Sequence, residues 1–408
     1  MAADERIDIH GTQNTLADQM RQNKGMRREA RVVFVLGVVF VLTTFITMVL
    51  PTFMFQHSLI AFTPAVFLDE LFANIAGVVG VFTGNGESYE THFMQVIICA
   101  VSGAALGLCG STYQGAFNNP LAAPKTLGVM SGGALGALVY LLFFKQFVPT
   151  MPWTNGITTE QIRQWEASLS PLDWFFSNYG QCLCSIVGCF VIVAVVMLIT
   201  SFVGRGRISN ISVIIAGQIF SVAITAIIQF ARYYFTTSGG DDMAQQLAQI
   251  ENYTMVNTYY FQDLLVVVAP IVVCIVVVLA LRGRLTLLSF GDEEAYSMGV
   301  NVNRTRYIMI ALCTLMTALA ISFCGHVAYL GFISAHIARK LTGPDFRYLL
   351  PASVCVGGTL LCVIQWLCNS GLPFTSSYAA GPVCSILGAS IFLVLALRQG
   401  RRGDSDWG

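Results

Sequence analysis

The sequence predicts an all-α, polytopic membrane protein with about ten transmembrane helices. Composition, the spacing of apolar runs and the sorting of basic residues predict it. Of 408 residues, 55% are hydrophobic and 11% are charged, and the mean hydropathy is +0.68. Soluble domains carry about a quarter charged residues. The net charge of zero argues against nucleic acid as a partner.

A membrane-spanning helix needs roughly 20 apolar residues. In chain order such runs cover 32–56, 93–114, 127–147, 180–203, 209–234, 261–283, 305–325, 327–341, 350–370 and 382–399. The first is too long for the apolar core of a cleavable signal, and no small-residue cleavage site follows it. With ten spans and the N-terminus inside, the inner face collects Arg27, Arg28, Arg31, Lys125, Arg205, Arg207, Arg282, Arg284, Arg304, Arg306, Arg339, Lys340, Arg398, Arg401 and Arg402. Among Lys and Arg, only Lys145, Arg163 and Arg232 fall outside, while the acidic residues divide evenly. Lys and Arg asymmetry sets orientation, so both termini are expected in the cytoplasm and the chain in the plasma (inner) membrane, against lipid. The domains are then a cytoplasmic tail 1–31, a membrane domain 32–400 and a cytoplasmic tail 401–408.

Between the spans, residues 57–91, 148–178 and 235–260 form long outer loops. The first includes an amphipathic stretch suited to the interface. The second carries Trp153, Trp165 and Trp174 as interface anchors. The third holds Asp241, Asp242 and Glu251, acids that either meet a basic external protein or merely stay solvated. The twelve cysteines lie in apolar runs without metal-site spacing and read as small buried hydrophobes. Leu108–Phe117 and Phe323–Phe332 are loosely alike at ends of oppositely directed spans, which points to an inverted repeat. Gly103, Gly107 and Gly110 form a face for close helix packing.

Two strings carry most of the functional information. The first runs from Asn118, Asn119, Pro120 and Leu121 through Pro124 to Gly128, at the inner end of the second span. Its two prolines stop helical continuation, and its asparagines can satisfy the freed backbone groups. Gly128, Gly132 and Gly136 then permit close approach by the next helix. The second is an acidic segment between two apolar runs, Gly291, Asp292, Glu293, Glu294, Ala295, Tyr296, Ser297, Met298 and Gly299, within a cytoplasmic stretch 285–304. Its glycines can each supply a φ > 0 turn, and its carboxylates favour a helix N-terminus. A free-standing helix of about two turns suits the groove of a soluble subunit.

Within the spans, polar residues are costly and mark pathways. Gln218, Gln229, Arg232 and Gln365 fit that description, although helix-to-helix hydrogen bonding is the commoner job for each glutamine. His336 and Arg339 fit an inner structural role, with Arg339 expected to extend toward lipid headgroups.

Taken in order, these strings resemble the permease subunits of the iron-siderophore, haem and cobalamin class of ABC importers (type II importers). The likeness rests on Asn119-Pro120-Leu121-Ala122, Pro124, Leu127-Gly128-Val129, Gly291, Glu293-Glu294-Ala295, Gly299-Val300, Gly331 and His336-Ile337-Ala338-Arg339. It departs at Asn118, Ala123 and Ala335, where the family usually carries Arg, Asp and Pro. The resemblance implies the type II permease fold and a pathway formed with a second permease subunit, identical or paralogous. It also implies two cytoplasmic ATPase subunits docked at Gly291–Gly299, and an external substrate-binding protein. ATP and magnesium would belong to the ATPase; this chain would bind no cofactor or metal and perform no catalysis, and it has no Gly-Lys dipeptide for a phosphate loop. Ferric siderophore is the leading cargo, with haem or cobalamin as alternatives. An ion-coupled secondary transporter is the rival class, but such carriers bury carboxylates mid-membrane and here every acid falls in a predicted loop or tail.

Overall fold

The structure is a computed structural model that describes residues 9–49, 87–148, 167–203, 210–238, 264–325, 327–369 and 381–391, with positions 72, 164 and 165. The expected outer loops 57–91, 148–178 and 235–260, and the tail 401–408, lie largely or wholly outside the described residues.

The elements are helices α1 (Ile9–Val49), α2 (Glu87–Ala116), α3 (Val129–Val139), α4 (Pro171–Val203), α5 (Asn210–Thr237), α6 (Ala269–Ala280), α7 (Arg282–Leu288), α8 (Asp292–Ser297), α9 (Val302–Cys324), α10 (Leu330–Thr342), α11 (Phe346–Asn369) and α12 (Gly381–Ile391). Among the described residues seven helices are long and apolar enough to cross a membrane, and α6 with α7 adds an eighth if that pair, bent by 55°, is one span. Helix α1 begins at Ile9, so much of the expected N-terminal tail is helical.

One expectation is corrected here. The apolar run 327–341 is not a full span but the 13-residue helix α10, about 20 Å long, against a hydrocarbon core of roughly 30 Å. Apolarity marked the segment as buried, and it is buried by protein: Leu330, Gly331, Phe332, Ile333, Ser334 and Ala335 are all inaccessible.

Helix α2 is the axis of the bundle, packed against α9, α10 and α11. Small residues make this possible. A Cβ on Gly103 would come within 2.6 Å of the Gly357 carbonyl oxygen, and one on Gly110 would overlap the Gly331 carbonyl. Without side chains between them the backbones approach closely, as membrane helices do where van der Waals contact replaces the hydrophobic effect. A second glycine seam joins α3 to α4, where Gly132 meets the Gly188 carbonyl and Gly136 meets Cys184.

Contacts along α2 set the register of its neighbours. Arg306 reaches the Ala116 carbonyl, the Cys109 thiol donates to Cys313 O at 3.5 Å, and Cys324 lies against Ile98 O. Helix α9 therefore runs antiparallel to α2. The similar segments Leu108–Phe117 and Phe323–Phe332 meet where Gly110 packs on Gly331. Each long helix leads through an irregular stretch into a further helix, α3 or α10, whose preceding residue is left-handed (Gly128 φ 79, Tyr329 φ 63); α3 continues through a π and a 3-10 turn to Phe147 and so counts among the seven, whereas α10 stays short.

Candidate functional site

The acidic segment folds as the sequence spacing predicts. Helix α7 ends at Leu288, and Gly291 at φ 117 turns the chain into α8, the six residues Asp292–Ser297. Gly299 at φ 84 then reverses it toward α9, whose first turn is capped by Asn301 Oδ1 accepting from Arg304 N at 3.0 Å. Glycine is needed at Gly291 because that φ is closed to side chains with a Cβ. Ala295 is the buried residue of α8, while Glu293, Glu294, Tyr296, Ser297 and Met298 are exposed.

Asp292 differs from its two acidic neighbours. Its carboxylate accepts from Arg306 Nη2 at 2.8 Å and from Nη1 at 3.3 Å. Arg306 is only 3% exposed and donates its Nε to Ala116 O at 2.8 Å. One guanidinium thus ties α8 to the end of α2. Glu293 and Glu294 remain free of this network and, with Phe290, Ser297 and Met298, line an open groove of about 550 Å³. An acidic rim over exposed apolar surface is a chemistry suited to a soluble partner.

The Asn118–Gly128 string forms the stretch between α2 and α3. Asn118 is left-handed at φ 43, a conformation Asn tolerates better than most residues. Asn119 Oδ1 accepts from Leu121 N at 2.9 Å, and Thr126 Oγ1 accepts from Ala123 N at 2.9 Å while donating to Ala123 O at 2.8 Å. Side chains therefore satisfy the backbone that Pro120 and Pro124 free from helix. The stretch does not stay at the helix ends. Gly217 of α5 leaves no room for a Cβ against Thr126 O and Leu127, and the Lys125 ammonium lies 4.0 Å from the Tyr329 ring centroid.

A cavity of about 710 Å³ opens beside this stretch, lined by Gln114, Asn118, Asn119, Phe290, Arg339 and Asp345 among others. Arg339 turns into it and donates to Gln114 Oε1 at 3.4 Å, in place of the expected reach toward lipid. The reason is that α10 packs along α2 and α11. His336 lies on the Phe332 ring, with centroids 4.3 Å apart. Of the two expected inner structural residues, Arg339 thus bridges α10 to α2, while His336 packs on its own helix.

Gln218 and Gln229 both lie exposed on α5, and they belong to a longer feature. Gln218, Ser221, Thr225, Gln229, Arg232 and Thr236 recur at helical spacing and form one polar stripe along α5. The hydroxyls of Ser221, Thr225 and Thr236 donate to the carbonyls four residues earlier. That periodicity was readable from sequence; the roles of Arg306 and Gln114 were not, because they depend on distant partners.

Residues 57–398 match the FecCD transport family. The chain is 29% identical over 310 residues to the hemin transport system permease protein HmuU of Yersinia pestis, covering 75% of this chain and 81% of that protein. It is 25% identical to the Fe(3+)-citrate import system permease protein YfmE of Bacillus subtilis, covering 82% and 90%. Other relatives are named for cobalamin and molybdate import. A solved inward-facing ABC transporter of metal-chelate type shares the fold, with a TM-score of 0.62 at 22% identity, covering 90% of this chain and 99% of that one. The protein belongs to the FecCD transport family and is a membrane permease subunit of an ABC importer, in which ATP hydrolysis falls to separate subunits.

Proposed function

We propose that this chain forms half of the translocation pathway of an ATP-driven importer for a ferric siderophore or similar iron chelate. It works with a second permease, two ATPase subunits and an external substrate-binding protein. Both termini and α8 face the cytoplasm, a reading supported by the excess of Lys and Arg on that side. The observation that carries the assignment is α8: a short helix between two positive-φ glycines, with Glu293 and Glu294 exposed beside a groove and Asp292 turned back onto Arg306. The ATPase grips the glutamate face. Its closure moves α8, and Arg306 transmits the movement to the end of α2, a rigid-body switch between two packings.

Iron chelate leads as cargo because relatives named for Fe(3+)-citrate import cover most of this chain. Haem is the second reading, favoured by the 29% identity to a hemin permease. Uptake of radioactive iron supplied as ferric citrate or as hemin separates the two. To test the docking assignment, Glu293→Lys and Glu294→Lys are combined in the complete transporter. Substrate-stimulated ATP hydrolysis should fall by about tenfold or more, as expected when complementary charges are turned into like ones. Unchanged stimulation would remove α8 from the ATPase interface.

A further inference from the structure

Lys125 lies in a place that neither the docking face nor the bundle core explains. The stretch that holds it climbs back into the bundle. Its Thr126 carbonyl packs on Gly217, about 10 Å along α5 from Asn210 at roughly 1.5 Å per residue. Gly128 meets Ile192 and Ser221. Tyr329, the ring under the ammonium, precedes Leu330 and Gly331, and Gly331 packs against Gly110 and Leu106. Gly110 is about 9 Å from the Ala116 end of α2. The Lys125 ammonium is therefore well inside the membrane domain, not at its rim.

An aliphatic stem of lysine normally lets the charge run out to the interface. Here the charge points the other way, over an aromatic face deeper in the bundle. Cation–π contact of this kind holds an ammonium without neutralising it. Among the described residues Lys125 meets no carboxylate. It is also partly exposed in the single subunit. A charge at this depth that stays accessible faces a water-filled route, because contact with lipid tails is too costly.

One further feature raises the positive potential at the same level. Helices α3 and α10 both begin there, after Gly128 and Tyr329, and neither N-terminus has a side-chain cap. Helix N-termini favour anions. The polar stripe of α5 passes beside the stretch at Ser221.

Resting on the importer reading above, we propose that Lys125, held over Tyr329, is a specificity residue of the translocation route and that the cargo carries net negative charge. An anionic metal chelate or oxyanion would be drawn to this level by Lys125. A neutral corrinoid would gain nothing from it.

The test uses the complete transporter in sealed membrane vesicles, supplied with five probes: ferric citrate, hemin, molybdate, cyanocobalamin and a ferric siderophore, the last two carrying no net negative charge. The unaltered protein should take up one of the three anions with ATP. In Lys125→Gln the KM for that anion should rise about tenfold or more while the maximal rate per assembled complex changes far less. Lys125→Arg should restore the KM. A wild-type KM in Lys125→Gln overturns the proposal, as does a fall in maximal rate alone, which marks a structural role. Uptake of cyanocobalamin alone overturns it and leaves the importer reading standing. ATP-dependent uptake of a ferric siderophore without net negative charge, and of no anion, likewise overturns the proposal alone. Absence of ATP-dependent uptake of every probe, the ferric siderophore included, overturns both.

Discussion

Arg306 and Asp292 form a two-pronged ion pair, 2.8 Å at its shorter arm, across the boundary between a buried helix and an exposed one. The guanidinium is buried and the carboxylate is 57% exposed. The two ends are therefore unequal in energy. Removing the Asp292 charge leaves the buried Arg306 guanidinium without its counter-ion, whereas removing Arg306 leaves Asp292 to water and only the Ala116 carbonyl without its donor. Asp292→Asn should cost about 2–3 kcal/mol in unfolding free energy. Arg306→Met should cost about 1 kcal/mol, since water screens the exposed end. Denaturation in detergent measures both. Equal losses would mean that the pair does not carry the asymmetry its burial implies.

Pro351 lies inside α11 and has no N–H to give the Arg347 carbonyl four residues back. Arg282 of α7 donates to that carbonyl at 3.4 Å. A proline in one helix has thus made an acceptor for a cation in another, and the contact helps to place α7, which leads into α8. The two residues should be coupled. Arg282→Ala should cost about 0.5–1 kcal/mol in the native background and close to nothing in a Pro351→Ala background, where the helix satisfies its own carbonyl. A double-mutant cycle by chemical denaturation reads the difference, and additivity would dissolve the link.

Much of this was legible in the sequence, and the reasons are local. Apolar run lengths located the long helices, and Gly291 and Gly299 bracketed α8 because only a residue without Cβ enters those turns freely. The run 327–341 misled because burial by protein and burial by lipid select the same residues, so α10 read as a span. Arg306 and Arg339 looked like ordinary basic residues near helix ends. Their partners, Ala116 and Gln114, are some two hundred residues away in sequence, and no spacing rule reaches that far. Lys125 was placed at the inner rim for the same reason. Its depth follows from Gly217 and Gly110 packing on distant backbones, which is a property of the folded bundle.

Glycine content alone cannot say which glycines matter, and two positions separate the cases. A Cβ on Gly110 would overlap the Gly331 backbone carbonyl, whereas one on Gly283 would meet nothing within 4 Å. Both are helical. At Gly283 an added methyl only restricts the unfolded chain, so Gly283→Ala should stabilise by about 0.5–1 kcal/mol. At Gly110 the obstruction is backbone and cannot rotate away, so α10 must move off α2. Gly110→Ala should cost about 1–3 kcal/mol by overpacking. It should also disturb Arg339, which reaches Gln114 from the same helix pair. Unfolding midpoints of the two variants should move in opposite directions. A shared direction would show that the glycines of α2 do not act through close helix approach.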